Sequence, residues 1–148
     1  VNSIEYQGAA SARPSPGLRA GLDQANLVVL CPSNPFQSLG PILAIPGVRR
    51  RLEGFSGLRV AVSPIVGGAA VRGPAAKIMC ELGEEVSCVG LARQYRGICD
   101  VLLIDQQDVH LGPAIKEMGI RPVAAPIIME TEAERVALAE RVLALLNS

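Results

Sequence analysis

Three small polar side chains, Ser33, Asn34 and Ser38, fall in one ten-residue stretch, Pro32-Ser33-Asn34-Pro35-Phe36-Gln37-Ser38-Leu39-Gly40-Pro41. The stretch follows the apolar run Leu27–Cys31. Groups of this kind between a strand and a helix suit phosphate recognition: Ser38 could cap the next helix while free backbone N–H groups point into a crevice. The competing reading is that Pro and Asn only build a turn. A second stretch, Pro64 to Lys77, follows the run Leu58–Ser63. Its adjacent glycines, Gly67 and Gly68, would let the backbone approach a phosphate, with Arg72 and Lys77 supplying charge. Gly68 to Gly73 matches the first half of a P-loop spacing. Pro74-Ala75 stands where Lys-Ser/Thr is needed, so the loop is not of that type, and an ordinary crossover is the alternative. Asp105 and Asp108 close a third candidate stretch, where a carboxylate could hold a ribose hydroxyl or a metal-bound water, or cap a helix.

Other chemistries lack their residues. The single histidine, His110, and the absence of a G-x-S-x-G elbow leave no basis for a Ser-His-Asp triad. Cys31, Cys80, Cys88 and Cys99 contain no C-x-x-C pair, and one histidine completes no zinc knuckle. They are expected to be buried free thiols, as suits a reducing compartment. The run Arg49-Arg50-Arg51 ends a short helix before Gly54 and reads as a dipole-complementing, solvated cluster.

The elements that must position these residues alternate along the chain. Strands are expected at Asn2–Tyr6, Leu27–Cys31, Leu58–Ser63, Asp100–Asp105 and Arg121–Ala125. LVVL, RVAV and VLLI are nearly continuous apolar runs, the pattern of strands covered on both faces. Helices are expected at Pro16–Gln24, Pro46–Glu53, Pro74–Leu82, Asp108–Met118 and Glu132–Asn147, several opening at Pro and closing at Gly. Thr131 and Glu134 form a capping box for the last one, whose apolar stripe is Val136, Leu138, Val142, Leu143 and Leu146. Strict alternation means βαβ crossovers: an α/β, mostly parallel sheet with helices on both faces, in one domain spanning 1–148. In such a sheet ligands bind beyond the carboxyl ends of the strands, where all three polar stretches fall.

Composition narrows the partners. The 148 residues carry 14 Lys+Arg against 14 Asp+Glu, so the basic excess of a nucleic-acid binder is missing. Two Tyr, two Phe and no Trp leave little to stack bases on. No apolar run approaches the roughly 18 residues of a membrane span. Neither nucleic acid nor membrane is expected as a partner.

Two long motifs carry a resemblance. CPSNPFQSLGPILAIPGVR and VAVSPIVGGAAVRGPAAKIMCELG, followed by GLARQY and LLID-x-x-D, are similar to the 2-phospho-L-lactate transferase (CofD-like) family of coenzyme F-420 biosynthesis. The similarity runs over essentially the whole chain. It implies a Rossmann-like fold and a cytoplasmic transferase. Such an enzyme moves a phospholactyl or phosphoenolpyruvyl group from a GDP-activated donor to the terminal ribitol hydroxyl of the deazaflavin Fo, with GMP leaving and Mg²⁺ assisting. By the same resemblance Ser33, Asn34, Pro35, Ser38, Gly40 and Pro41 would contact the guanosine diphosphate, and Ser63, Pro64, Gly67 and Gly68 would wall the crevice. Family members are about twice as long. The resemblance therefore implies an incomplete fold, a C-terminal half inactive alone, with the catalytic residues and Mg²⁺ ligands in the other half; a homodimer is left open. A distant cousin, the gluconeogenesis-factor family, offers the alternative of a non-enzymatic sugar-nucleotide-binding regulatory module, though its Gly-Pro-Gly-Ser type turn differs from Cys31–Pro35.

Overall fold

Four of the five expected strands form one sheet in the computed structural model, which describes residues 1–147. They are β1 (Leu27–Leu30), β2 (Leu58–Val62), β5 (Val101–Ile104) and β6 (Arg121–Ala124), all parallel and ordered β1-β2-β5-β6. The register places Leu27 opposite Leu58, Val60 opposite Val101, and Val101 opposite Arg121. All four residues of β5 are buried, which explains the unbroken VLLI run: a central parallel strand meets apolar neighbours on both faces.

Between β2 and β5 lies a small antiparallel hairpin, β3 (Ile65–Val66) and β4 (Ala69–Ala70). Gly67 and Gly68 form its turn at φ 57° and 77°. Two consecutive positive φ values are what a two-residue hairpin turn of primed type demands, and glycine supplies them without strain. The double glycine is thus hairpin chemistry rather than an open phosphate loop.

The helices are α1 (Pro16–Gln24), α2 (Gly40–Leu43), α3 (Val48–Glu53), α4 (Ala75–Glu81), α5 (Cys88–Gln94), α6 (Gly112–Lys116) and α7 (Glu132–Ala144). A π-helical turn, Pro35–Leu39, leads into α2, and a 3-10 turn, Gln106–Leu111, leads into α6. The helix expected over Asp108–Met118 is split at this last junction, where Pro113 in the first turn of α6 lacks the N–H that a continuous ladder would need. α5 has no counterpart among the expected elements. Ser87 caps it, its hydroxyl accepting from the Val89 and Gly90 amides at 3.1 Å each. The capping box of α7 is present, with the Thr131 hydroxyl taking the Glu134 amide and the Glu134 carboxylate taking that of Thr131.

The Asn2–Tyr6 segment is not a strand. It lies over the π-turn, where the Tyr6 hydroxyl donates to the Phe36 carbonyl at 2.6 Å. Gly40 lets the Tyr6 ring and hydroxyl come this close, since a Cβ there would force the Tyr6 side chain to shift.

Side-chain alternation sorts the core into two layers. Leu30, Ala61, Leu102 and Ile104 face one cluster together with residues of α3, α5 and α6. Val60, Val62, Val101 and Leu103 face the other, covered by Leu138 and Val142 of α7. At the amino ends of β2 and β5, Arg59 binds Asp100 through Nε at 2.9 Å and Nη2 at 2.5 Å, and also donates to the Leu52 and Gly97 carbonyls. The guanidinium holds the Asp100 carboxyl below its usual range, and the same pairing raises Arg59.

Candidate functional site

A cleft of about 210 Å³ opens at the opposite, carboxyl ends of β1 and β2. Pro32 and Asn34 form one wall, Ser63 and Pro64 the next, and Val71 and Arg72 follow from the loop after β4. Ile127 and Met129, from the segment after β6, and Arg135 of α7 close it. In open α/β sheets ligands bind beyond the carboxyl ends of the strands, the side on which this cleft lies.

Each polar group has a definable task. The Asn34 side-chain oxygen accepts from the Phe36 amide at 2.9 Å and the Gln37 amide at 3.1 Å. Asn34, not Ser38, is therefore the cap of the turn that follows, and the amides it takes are not free for a phosphate. Ser63 is buried, its hydroxyl donating to the Ile65 carbonyl at 2.7 Å and accepting from the Ile65 amide at 3.1 Å. That pair of hydrogen bonds turns the chain sharply from β2 into the hairpin and puts Pro64 on the cleft.

The hairpin tip is pinned from below. Both oxygens of the buried Asp108 carboxylate accept from the Gly67 amide at 3.1 Å. A phosphate would find that amide occupied and a negative charge behind it. Asp105 caps its own 3-10 turn, accepting from the Gln107 amide at 3.1 Å. Both carboxylates are thus engaged by backbone N–H groups. No group of three or more His, Cys, Asp or Glu poised for a metal lies among the described residues.

Of the ten residues expected at the ligand, Asn34, Ser63 and Pro64 line the cleft. Ser33 adjoins it in the tight turn closed by its amide on the Cys31 carbonyl. Pro35 is the buried first residue of the π-turn and Ser38 is exposed outside the cleft wall. Gly40 and Pro41 pack near the Tyr6 segment instead. Gly67 and Gly68 sit at the hairpin tip, outside the lining. Lys77 is taken by Glu81 at 2.6 Å.

The charge at the site comes from Arg72 and Arg135, and neither guanidinium is ion-paired among the described residues. Arg135 escaped the sequence reading. Its signal was the position four residues past the Thr131 cap, on the first helix after the last strand, beside the carboxyl edge.

The thiols divide in two. Cys88 and Cys99 are buried, and burial pushes each up to about 12, with nearby Asp108 adding to the effect at Cys88. Cys31 and Cys80 are exposed, against the expectation of four buried thiols. His110 is exposed as well. No helix of the described residues is long and apolar enough to cross a membrane.

Comparison with known proteins places this geometry. The phosphoenolpyruvate transferase of Streptomyces griseus is 37% identical over 149 residues, covering 97% of this chain and 47% of that protein. The 2-phospho-L-lactate transferase of Methanosarcina barkeri is 35% identical over 148 residues, covering 100% and 47% respectively. The chain thus spans about half the length of the curated relatives it matches. Protein BH3568 of Bacillus halodurans shares the fold, with a TM-score of 0.55 at 16% identity over 86% of this chain and 45% of that one. The model of the family described as 2-phospho-L-lactate transferase CofD matches residues 1–140, and with the relatives' identities this makes the chain a member of that family.

Proposed function

We propose that the chain supplies one wall of the donor site of a cytoplasmic transferase acting on a GDP-activated three-carbon acid, phospholactyl or phosphoenolpyruvyl. The observation that carries this reading is the cleft between Asn34 and Ser63, in a member of this family, facing two guanidinium groups without carboxylate partners. A diphosphate needs charge neutralised at two adjacent phosphoryl groups, and arginine does this with directed, charge-assisted hydrogen bonds.

The transfer balances as a displacement at phosphorus. The terminal hydroxyl oxygen of Fo forms a bond to the phosphorus that carries the three-carbon acid. The P–O bond of the diphosphate anhydride breaks, GMP takes the electron pair, and the hydroxyl proton is lost. Arg72 and Arg135 would hold the diphosphate in line and spread its charge as it leaves. Among the described residues no cluster of three or more His, Cys, Asp or Glu is placed to hold Mg²⁺, which would take its ligands from outside them. The base for the Fo hydroxyl has no candidate in the cleft wall either, which fits a site completed by further chain.

Isothermal titration of the chain with GDP and with a UDP-sugar tests the reading. GDP binding that falls by about tenfold in Arg72→Ala and again in Arg135→Ala is expected, with no product formed from Fo by the chain alone. Preference for the UDP-sugar, or GDP binding indifferent to both arginines, would overturn it and favour the regulatory-module alternative.

A further inference from the structure

The turn that follows Asn34 ends in a way its own backbone cannot complete. The Leu39 amide donates to the Asn34 carbonyl at 3.3 Å and the Gly40 amide to the Pro35 carbonyl, the i to i+5 spacing of a π-turn. The next donor in that ladder belongs to residue 41, aimed at the Phe36 carbonyl. Residue 41 is proline and has no N–H. The Gly40 amide, the donor one residue nearer, is already given to Pro35. The half-buried Phe36 is thus left with a carbonyl that the turn itself cannot pair.

A side chain from outside the turn fills the gap. The Tyr6 hydroxyl donates to the Phe36 carbonyl at 2.6 Å. Burial raises the Tyr6 pKa, which keeps the hydroxyl protonated and able to donate. Gly40, at the junction with α2, presents no Cβ to push the ring away. Tyr6 belongs to no helix or strand, so this bond is not a by-product of regular structure.

The bond reaches the cleft through Phe36. The Phe36 amide is held by the Asn34 side-chain oxygen, and its carbonyl by Tyr6. Its ring packs against Ile65, Ala75 and Met79, a cluster shared by the hairpin and α4. The Asn34 oxygen also accepts from the Gln37 amide, and Asn34 Nδ2 donates to Gln37 Oε1 at 3.2 Å. Asn34 lines the cleft together with Val71 and Arg72, which follow the hairpin. Tyr6, Phe36 and Asn34 therefore form one hydrogen-bonded chain that ends on the cleft wall.

We infer that Tyr6 is a positioning residue of the cleft: its hydroxyl stands in for the N–H that Pro41 lacks, closes the π-turn, and so holds Asn34 on the cleft wall. Tyr6 lies outside the cleft lining and acts through Phe36. Without the hydroxyl the turn frays from its unpaired carbonyl, and the cap that Asn34 makes at the other end loosens with it. The effect on nucleotide affinity rests on the donor-site reading above, whereas the latch itself does not.

Nuclear magnetic resonance of the chain without nucleotide reads the latch. In Tyr6→Phe, which keeps the ring, the Phe36 and Gln37 amide signals and the Asn34 side-chain NH₂ pair should move towards the positions of an unstructured peptide. The amide signals of β5 should stay in place, which shows that the fold is intact. Pro41→Ala in the same background supplies the missing N–H and should return all three sets of signals. Gly40→Ala, which crowds the hydroxyl without removing it, should reproduce Tyr6→Phe. By calorimetry, GDP affinity should fall about fivefold in Tyr6→Phe and recover with Pro41→Ala. The inference is overturned if Tyr6→Phe leaves the Asn34, Phe36 and Gln37 signals in place, if Pro41→Ala does not return them, or if a nucleotide-binding chain keeps its affinity in Tyr6→Phe. The signal pattern with its rescue, in a chain that binds no GDP, supports the latch and sinks only the donor-site reading.

Discussion

The crossover face and the α7 face of the same sheet differ in how far they are finished. On the crossover face, Leu102, Leu91, Ile98 and Ile115 are wholly withdrawn from solvent, and the cluster extends from α1 to α6. On the α7 face, Val29, Val136 and Leu143 stay substantially exposed around an apolar groove. The strands are equally apolar on both sides, so the difference is not one of strand composition. It comes from connectivity: one-way, right-handed crossovers can seal only one face. A chain of this topology can hold its fold through one closed face while the other keeps an open apolar groove.

Thiol chemistry gives the widest separation between the faces. Cys88 and Cys99 belong to the sealed cluster, with thiols pushed up to about 12 by burial, whereas Cys31 borders the groove. Only the thiolate reacts, so iodoacetamide at pH 8 should modify Cys31 and the exposed Cys80 on the order of a thousandfold faster than the buried pair. Mass spectrometry of timed aliquots measures this. Equal rates at Cys31 and Cys99 would mean that the crossover face opens as readily as the groove.

Truncating one leucine on each face probes the same contrast in stability. Leu102→Ala should cost about 3 kcal/mol, combining lost burial with a cavity in a closed cluster. Leu143→Ala should cost less than about 0.5 kcal/mol, because most of that side chain already meets water. Urea titration followed by circular dichroism separates the two. Comparable losses would show that the α7 face is better sealed than its exposure implies.

The hairpin beside the cleft links the sealed side to the site. Asp108 is buried and holds the Gly67 amide. Asp108→Ala should destabilise by about 1 kcal/mol, since the Gly67 amide loses a charge-assisted hydrogen bond. It should also raise proteolytic cleavage between Val66 and Ala69. Unchanged cleavage would mean that the two glycines hold the turn without the carboxylate.

How much of this was legible depended on what each residue's environment leaves in the sequence. LVVL, RVAV and VLLI announced their strands because burial on both faces demands unbroken apolar runs. α5 was invisible for the opposite reason. Cys88 to Ala92 are all buried, so the helix shows no polar face and no period, and Gly90 is there because a Cβ would strike the Glu85 carbonyl. Its one signal was the Ser87 cap. The Asn2–Tyr6 alternation resembles a strand, but pairing is a tertiary fact, and Tyr6 bonds to Phe36 instead. At the site, the polar turn after β1 was legible and its internal wiring was not. Nothing in Pro32-Ser33-Asn34-Pro35 says that Asn34 rather than Ser38 takes the following amides. Val66-Gly67-Gly68-Ala69 carried a two-residue hairpin signal, obscured by the helix that follows it. Arg135 reaches the cleft only because α7 starts beside the carboxyl edge, a matter of tertiary placement.

A predicted gain in stability bears on how tightly the crossover face is sealed. Tyr95 is 2% exposed within that cluster, and its hydroxyl has no hydrogen-bond partner among the described residues. Burial raises its pKa and keeps the hydroxyl protonated, leaving a donor that nothing receives. Removing only that oxygen preserves the ring packing and ends the desolvation cost, so Tyr95→Phe should stabilise the chain by about 1 kcal/mol. Thermal or urea unfolding measures the shift. A loss of stability instead would mean that a water enters the cluster to meet the hydroxyl, and the crossover face would then be less completely closed than the contrast with the α7 face requires.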